Sequence, residues 1–305
     1  MHKVLVVGSI NMDLVSTAKR IPAVGETVLG DSFSTIPGGK GANQAIAAAR
    51  AGASVTMAGK VGSDSFGAGL LQSLAADGVG VQHIGTDPTQ PTGIAIIQVS
   101  EKGENTITVV PGANSRLLPS DLHAAFSQFS TGDVLLLQLE IPLETVVEAC
   151  SLAKSRGMVI ILNPAPAMPL PNELLRQIDF LIPNEKECQW IGKAENLETA
   201  MENIGHNYGG CMIVTLGNQG VRLVDHDRVI TIPAHLVEAV DTVAAGDAFV
   251  GVFAACLAKE MPILDAMEHA NAAAAISVTR KGAQPSLPYA AEISQFLDAS
   301  NTKKD

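Results

Sequence analysis

Residues 134–162 read VLLLQLEIPLETVVEACSLAKSRGMVIIL. Two short aliphatic runs, Val134–Leu137 and Val159–Leu162, bracket a segment with helical spacing, Leu143–Ser155. An aliphatic run without polar alternation suits a strand buried on both faces, which means a parallel sheet covered by helices. Outward from this unit the rhythm repeats. Phe180–Ile182 and Met212–Thr215 read as further strands, with helices expected at about Glu173–Ile178 and Leu197–Tyr208. Toward the N-terminus, Val4–Val7 reads as a central strand and Val55–Gly59 as another. Helices are expected over Ala42–Arg50, with Gly52 as the stop, and over Phe66–Ala76, with Asp64 or Ser65 as N-cap. Toward the C-terminus, Val221–Val224 and Val229–Ile232 read as a hairpin, followed by Ala-rich helices over Ala245–Leu257 and Leu264–Thr279. The expected fold is α/β, a doubly wound and mostly parallel sheet.

Two segments break the rhythm. Residues 14–36 lack a helical period and carry Pro22, Gly25 and Gly30. Residues 92–110 read as two strands around the turn Ser100-Glu101-Lys102-Gly103-Glu104. Together they are expected to form a small β-sheet lid on a single domain spanning residues 1–305, with pairing of two lids into a homodimer as one way to cover the exposed edge.

Composition narrows the function. Hydrophobic residues make up 47% of the 305 and charged residues 17%, enough for a large core and too ordered for long disordered tracts. The net charge of −11 argues against a general nucleic-acid or anionic-membrane surface. No apolar run spans a bilayer, and the first run ends at Gly8, too short for a signal segment. Cys150, Cys188, Cys211 and Cys256 form no CxxC pair, so buried thiols in a reduced, cytoplasmic protein are expected.

The strongest local signal is Val240-Asp241-Thr242-Val243-Ala244-Ala245-Gly246-Asp247-Ala248-Phe249. Small residues at a helix start leave backbone N–H groups open to an anion, and Asp247 falls in the first turn. The same pattern also fits an ordinary acid that complements the helix dipole. The run Pro37-Gly38-Gly39-Lys40-Gly41-Ala42-Asn43-Gln44 offers close backbone approach together with Lys40 and Asn43. It is neither a Walker A loop nor a dinucleotide fingerprint, and it could equally be a Gly-rich turn. Asn184 and Glu187, after Pro183, suit either a plain capping box or a carboxylate that organises Mg²⁺ through water. Thr215-Leu216-Gly217-Asn218-Gln219-Gly220 shapes a nucleotide-binding turn or only a tight turn. Asn11 and Asp13 follow the first strand and fit vicinal sugar hydroxyls, with an Asx cap as the plain alternative, and Glu140 ends another strand on the same ligand edge. What joins these segments is placement: nearly all fall at C-terminal strand edges or helix starts of one sheet, where open α/β sheets bind ligands.

Taken in order, the Gly38–Gln44 run, Asn184–Glu187 and Asp241–Asp247 resemble the ribokinase-like (pfkB-type) carbohydrate kinases along the whole chain. Leu162-Asn163-Pro164-Ala165-Pro166-Ala167 and Thr279-Arg280-Lys281-Gly282-Ala283-Gln284-Pro285-Ser286 add to the resemblance. It implies ATP-dependent phosphorylation of D-ribose at its 5-hydroxyl, with 2-deoxyribose, another sugar or a nucleoside as alternative acceptors. A non-catalytic sugar-binding regulator is the rival of another class, and an oxidoreductase is disfavoured by the missing glycine fingerprint. The resemblance assigns Asp247 as base and Ala244, Ala245 and Gly246 as anion-hole amides. It assigns Asn11, Asp13, Gly39, Lys40, Asn43 and Glu140 to the sugar, and Asn184, Thr215, Gly217, Gly220, Gly246 and Asn271 to ATP. Glu187 is tied to Mg²⁺ through water. Asp241, Val243, Ser277, Arg280, Gly282 and Ser286 surround an activating K⁺, several through carbonyl oxygens. Many relatives carry Thr-Gly-Ala-Gly-Asp where this chain has Val243 to Asp247, so Ala244 is expected to keep the anion hole if its φ is negative.

Overall fold

The computed structural model describes residues 2–226 and 228–301. Its strands are β1 Lys3–Val7, β2 Asn11–Ala18, β3 Ser32–Gly38, β4 Ser54–Gly62, β5 Gly80–Asp87, β6 Gly93–Ser100, β7 Asn105–Val110, β8 Val134–Leu137, β9 Val159–Leu162, β10 Phe180–Leu181, β11 Cys211–Thr215, β12 Val221–Asp225 and β13 Arg228–Ile232. Its helices are α1 Lys40–Arg50, α2 Ser65–Ala76, α3 His123–Phe126, α4 Leu143–Ser155, α5 Asn172–Leu175, α6 Glu185–Gly192, α7 Leu197–Gly205, α8 Ala245–Ala258, α9 Ile263–Ser277 and α10 Ala290–Asn301.

Strand β1 shows why the sheet is covered on both sides. Val4 and Val6 belong to one core, with residues of α1, α8 and α9. Leu5 and Val7 belong to a second, with residues of α4 and α7. All four are fully buried, as a central strand between two helical layers requires. The main sheet runs β13-β12-β11-β10-β9-β8-β1-β4-β5. It is parallel except for the β11-β12-β13 meander at one edge. The chain leaves β1 in two directions, to β4 and later to β8, so the strand order reverses there and the ligand crevice opens at its C-terminal end.

The two irregular segments form a separate four-stranded sheet, β3-β2-β6-β7. It begins at Asn11 rather than Leu14: Asn11 and Asp13, read as a polar stretch after β1, are ladder residues opposite Gly38 and Ile36. Strand β5 and helix α10 were not legible in the sequence. The β5 residues, GVQHIGTD, are half-buried and pair on one side only, so they carry no continuous apolar run. Helix α5 stops at Leu175, short of the expected Ile178. The four cysteines are free thiols. No helix among the described residues is long and apolar enough to cross a membrane.

Candidate active site

Helix α8 places Asp247 by packing against α1. A Cβ on Gly251, one turn beyond Asp247, would lie 2.5 Å from the Gln44 carbonyl oxygen and 2.6 Å from the Ala47 Cβ. The helices therefore meet backbone to backbone. That approach sets Asp247 Oδ2 2.9 Å from Asn43 Nδ2 and Asp247 Oδ1 2.9 Å from Gln44 Nε2, both amides donating. Asp247 is only 8% exposed. Burial raises its pKa, while Lys40 and the two amides oppose that rise. The result is a carboxylate more basic than usual, as a proton acceptor needs.

Three cavities lie around this residue, and Asp247 lines the first and the third. The first, about 710 Å³, is lined by Asn11, Asp13, Gly39, Lys40, Asn43 and Glu140 together with Asp247. The small sheet supplies one wall through its two-residue period: Asn11, Asp13, Ala95, Ile97, Ile107 and Val109 share the face that lines the cavity. Ile96, Phe33 and Val110 lie on the opposite face and are exposed. The polar residues are held from behind. Asn114 Nδ2 donates to Asn11 Oδ1 at 2.7 Å, and Ser9 Oγ donates to Glu140 Oε2 at 2.6 Å. Asn43 Oδ1 is buried with no protein partner, an acceptor left for a hydroxyl. Burial, and then the charges of Glu140 and Asp247, push the Asp13 carboxyl up to about 7.

Glycines let the backbone of this loop pass close to β2. Gly39 has φ 90, and a Cβ there would lie 2.6 Å from the Asn11 amide nitrogen. A Cβ on Gly38 would lie 2.3 Å from Asp13 Oδ2. Gly38→Ala is therefore expected to displace the Asp13 carboxylate and weaken sugar binding by about tenfold, with a smaller effect on kcat. Calorimetric titration with sugar checks this, and unchanged affinity would mean that Asp13 does not hold the ligand.

The second cavity, about 440 Å³, contains Asn184, Thr215, Gly217, Gly220, Gly246 and Asn271 in its lining, the full set the resemblance assigns to a nucleotide. The third, about 180 Å³, joins the other two. Lys40, Ala244 and Asp247 line it and the first, and Asn184, Thr215 and Gly246 line it and the second. Glu187 also lines it. The capping box is fully formed, with Asn184 N donating to Glu187 Oε2 and Glu187 N donating to Asn184 Oδ1, each at 2.8 Å. The box takes Glu187 through Oε2, not Oε1, so the box and a role toward a cation are compatible. Burial would depress the Lys40 ammonium, but Asp247, Glu140, Glu187 and Asp13 outweigh it and hold the pKa above its usual value.

The start of α8 corrects one expectation. Ala244 adopts φ 60, ψ 9, the left-handed region, not a negative φ. Ala245 N reaches Thr242 O only at 3.4 Å, Ala248 N bonds Ala244 O at 2.8 Å, and the N–H groups of Gly246 and Asp247 between them take no acceptor among the described residues. An L-residue pays about 1 kcal/mol for that conformation, a cost that glycine would not bear. Ala244→Gly is thus expected to leave stability unchanged or raise it by up to about 1 kcal/mol, and Ala244→Val to lower it. Denaturant melts of the two variants test this; a clearly destabilised glycine variant would exclude strain at Ala244.

The residues assigned to K⁺ are drawn together in part. Asp241 Oδ1 accepts the Val243 N–H at 3.0 Å and Oδ2 accepts the Gly282 N–H at 2.9 Å, which ties the 241–243 and 280–286 loops. Ser277 and Ser286 are buried, and their hydroxyls donate to Ala274 O and Ala283 O. The Arg280 side chain is engaged with Glu292, so only its carbonyl is available. The sequence reading gave no role to Gln44, Ser9, Asn114 or Asn163, all of which support the site from behind. Gln44 and Asn163 stood inside quoted motifs, but side-chain networks between distant segments leave no periodic trace.

A crevice at the reversal point of a doubly wound sheet, with a buried carboxylate at a helix start between two ligand cavities, defines a phosphotransferase acting on a small alcohol. Residues 1–290 match the pfkB family carbohydrate kinase model, and the chain belongs to that family. It is 43% identical over 297 residues to the ribokinase of Bacillus subtilis, covering 97% of this chain and 100% of that one. Among solved structures it is similar to the ribokinase of Thermotoga maritima, with a TM-score of 0.89, 36% identity, and coverage of 98% of this chain and 100% of that one. It is also similar to the Arabidopsis thaliana ribokinase complexed with ribose and ATP, with a TM-score of 0.88, 30% identity, and coverage of 97% and 99%.

Proposed function

We infer that this chain transfers the γ-phosphate of ATP to the 5-hydroxyl of D-ribose. The observation that carries the reading is Asp247, with both oxygens held, lining the first cavity and the passage to the second. Its full-length similarity to ribokinases, one of them described as complexed with ribose and ATP, supports the acceptor.

Ribose binds in the first cavity against Asn11, Asp13, Asn43 and Glu140, and ATP in the second. Asp247 accepts the 5-hydroxyl proton as the new bond to phosphorus forms. Lys40 and the free amides at the start of α8 meet the charge on the transferring phosphoryl group. Glu187, which lines the passage, would hold Mg²⁺ through water, and a bound Mg²⁺ would supply charge neutralisation on the phosphates. The residues that the resemblance assigns to K⁺ sit in the 241–243 and 277–286 segments, which Asp241 ties together, so a bound K⁺ would steady the loop that carries the amides. The small sheet acts as a lid, lowering its Ile107 and Val109 face over the sugar to exclude water. Its opposite face, with Phe33 and Ile96, would pair with a second copy to form a homodimer. We place the reaction in the cytoplasm, where the four thiols stay reduced.

The test is ADP release across a panel of pentoses, hexoses and nucleosides, with and without K⁺ and Mg²⁺. Ribose-dependent release stimulated by both ions supports the reading. Preference for 2-deoxyribose would reassign the acceptor, and ribose binding without ADP would leave a silent binder.

A further inference from the structure

Asn43 and Gln44 both bond Asp247, but they stand differently. Asn43 lines the first cavity, whereas Gln44 is fully buried and lines none of the three. Gln44 reaches Asp247 from behind, as part of a chain of amides. Asn163 Nδ2 donates to the Ile182 carbonyl at 2.8 Å, which turns Asn163 Oδ1 toward Gln44. Gln44 Nε2 donates to that oxygen at 3.0 Å and to Asp247 Oδ1 at 2.9 Å. Gln138 Nε2 donates to Gln44 Oε1 at 2.6 Å.

The polarity of an amide is usually open to a flip. Here it is fixed. Asp247 and Asn163 Oδ1 both demand donors from the same end of Gln44, and Gln138 supplies a donor to the other end. Both N–H groups and the carbonyl of Gln44 are used, so its side chain has one orientation. The ends of β8, β9 and β10 thereby fix the plane of a carboxylate carried on α8.

We propose that Gln44 is a positioning residue for phosphoryl transfer, its amide locked by Gln138 and Asn163 so that its N–H aims the Asp247 carboxylate at the sugar hydroxyl. The inference rests on the reading of Asp247 as the base. The Gln44 N–H also favours the ionised carboxylate against burial. The other charged groups coupled to Asp247 are Lys40 on α1, Glu140 after β8, Asp13 on β2 and Glu187 on α6, and none of them is changed by substitution at Gln44.

The experiment is steady-state kinetics of Gln44→Met, Gln138→Met and the double variant with ribose and MgATP across pH, with calorimetric ribose titration. Gln44→Met is expected to lose about 10- to 100-fold in kcat, the scale of misplacing a reacting group, with ribose affinity retained. Loss of a bond to the charged form raises the pKa of the base. The acid limb of kcat therefore moves to higher pH and the deficit narrows in alkali, which a general packing defect would not do. Gln138→Met, which does not touch Asp247, is expected to move the limb the same way by less. The double variant is expected to be no worse than Gln44→Met alone, because the two act through one bond. An unmoved limb in Gln44→Met, or equal losses of kcat and ribose affinity, overturns the proposal. If Gln44→Met does not fold, an unmoved limb in Gln138→Met overturns it. A wild-type chain without ribose-dependent ADP release sinks the underlying reading as well, so the two failures are told apart by the wild-type control.

Discussion

Asp247→Asn is expected to lower kcat by about 1,000-fold while ribose still binds, since a positioned base contributes on that scale. The substitution keeps the shape and removes the ability to take a proton. It also creates a conflict. Asn43 Nδ2 and Gln44 Nε2 both present donors at 2.9 Å, and a carboxamide has one acceptor where the carboxylate has two. One of those bonds is lost, so a modest fall in stability accompanies the loss of turnover. Calorimetric titration with ribose separates the effects: Asn11, Asp13 and Asn43, the proposed sugar contacts, line the same cavity and are unchanged in the variant. Turnover within about tenfold of wild type would remove Asp247 from the chemistry.

Lys40→Met is expected to cost about 100-fold or more in kcat, the scale of removing one preorganised charge partner from a phosphoryl site. Lys40 lines both the first cavity and the passage to the second, and among the described residues no other Lys or Arg lines either space. Its charge acts on four carboxylates. In Asp13, Glu187 and Asp247 alike it opposes the rise that burial causes. Without it their pKa values go up further, Asp13 from an already high value of about 7. The ionised fraction at any given pH then falls, so activity is lost at a higher pH than in the wild type. Profiles of kcat against pH read both effects. A variant with near-normal turnover and an unmoved acid limb would confine Lys40 to a structural part.

Much of this was legible in the sequence, for physical reasons that differ by residue. The runs Val4–Val7 and Val134–Leu137 announce buried parallel strands because no face of theirs meets water. The helix-start positions of Asp247 and Glu187 were legible because such a start leaves a local mark: small residues, an acid, a capping pair. Strand β5 was hidden because an edge strand paired on one side needs no apolar run. The conformation of Ala244 was hidden because the residue that adopts it carries a side chain, where glycine would have signalled the turn. Gln44 was hidden in its motif because its partners, Gln138 and Asn163, lie 94 and 119 residues away.

The contact at Gly251 has a consequence for protein engineering. Replacing helical glycines with alanine is a standard route to thermostability, and Gly251 in the middle of α8 looks like a natural target. Here the added methyl would wedge two helices apart and carry Asp247, the proposed base, away from Asn43 and Gln44, although the altered position lines none of the three cavities. Library designs that spare only pocket-lining positions would discard activity at this site without registering why.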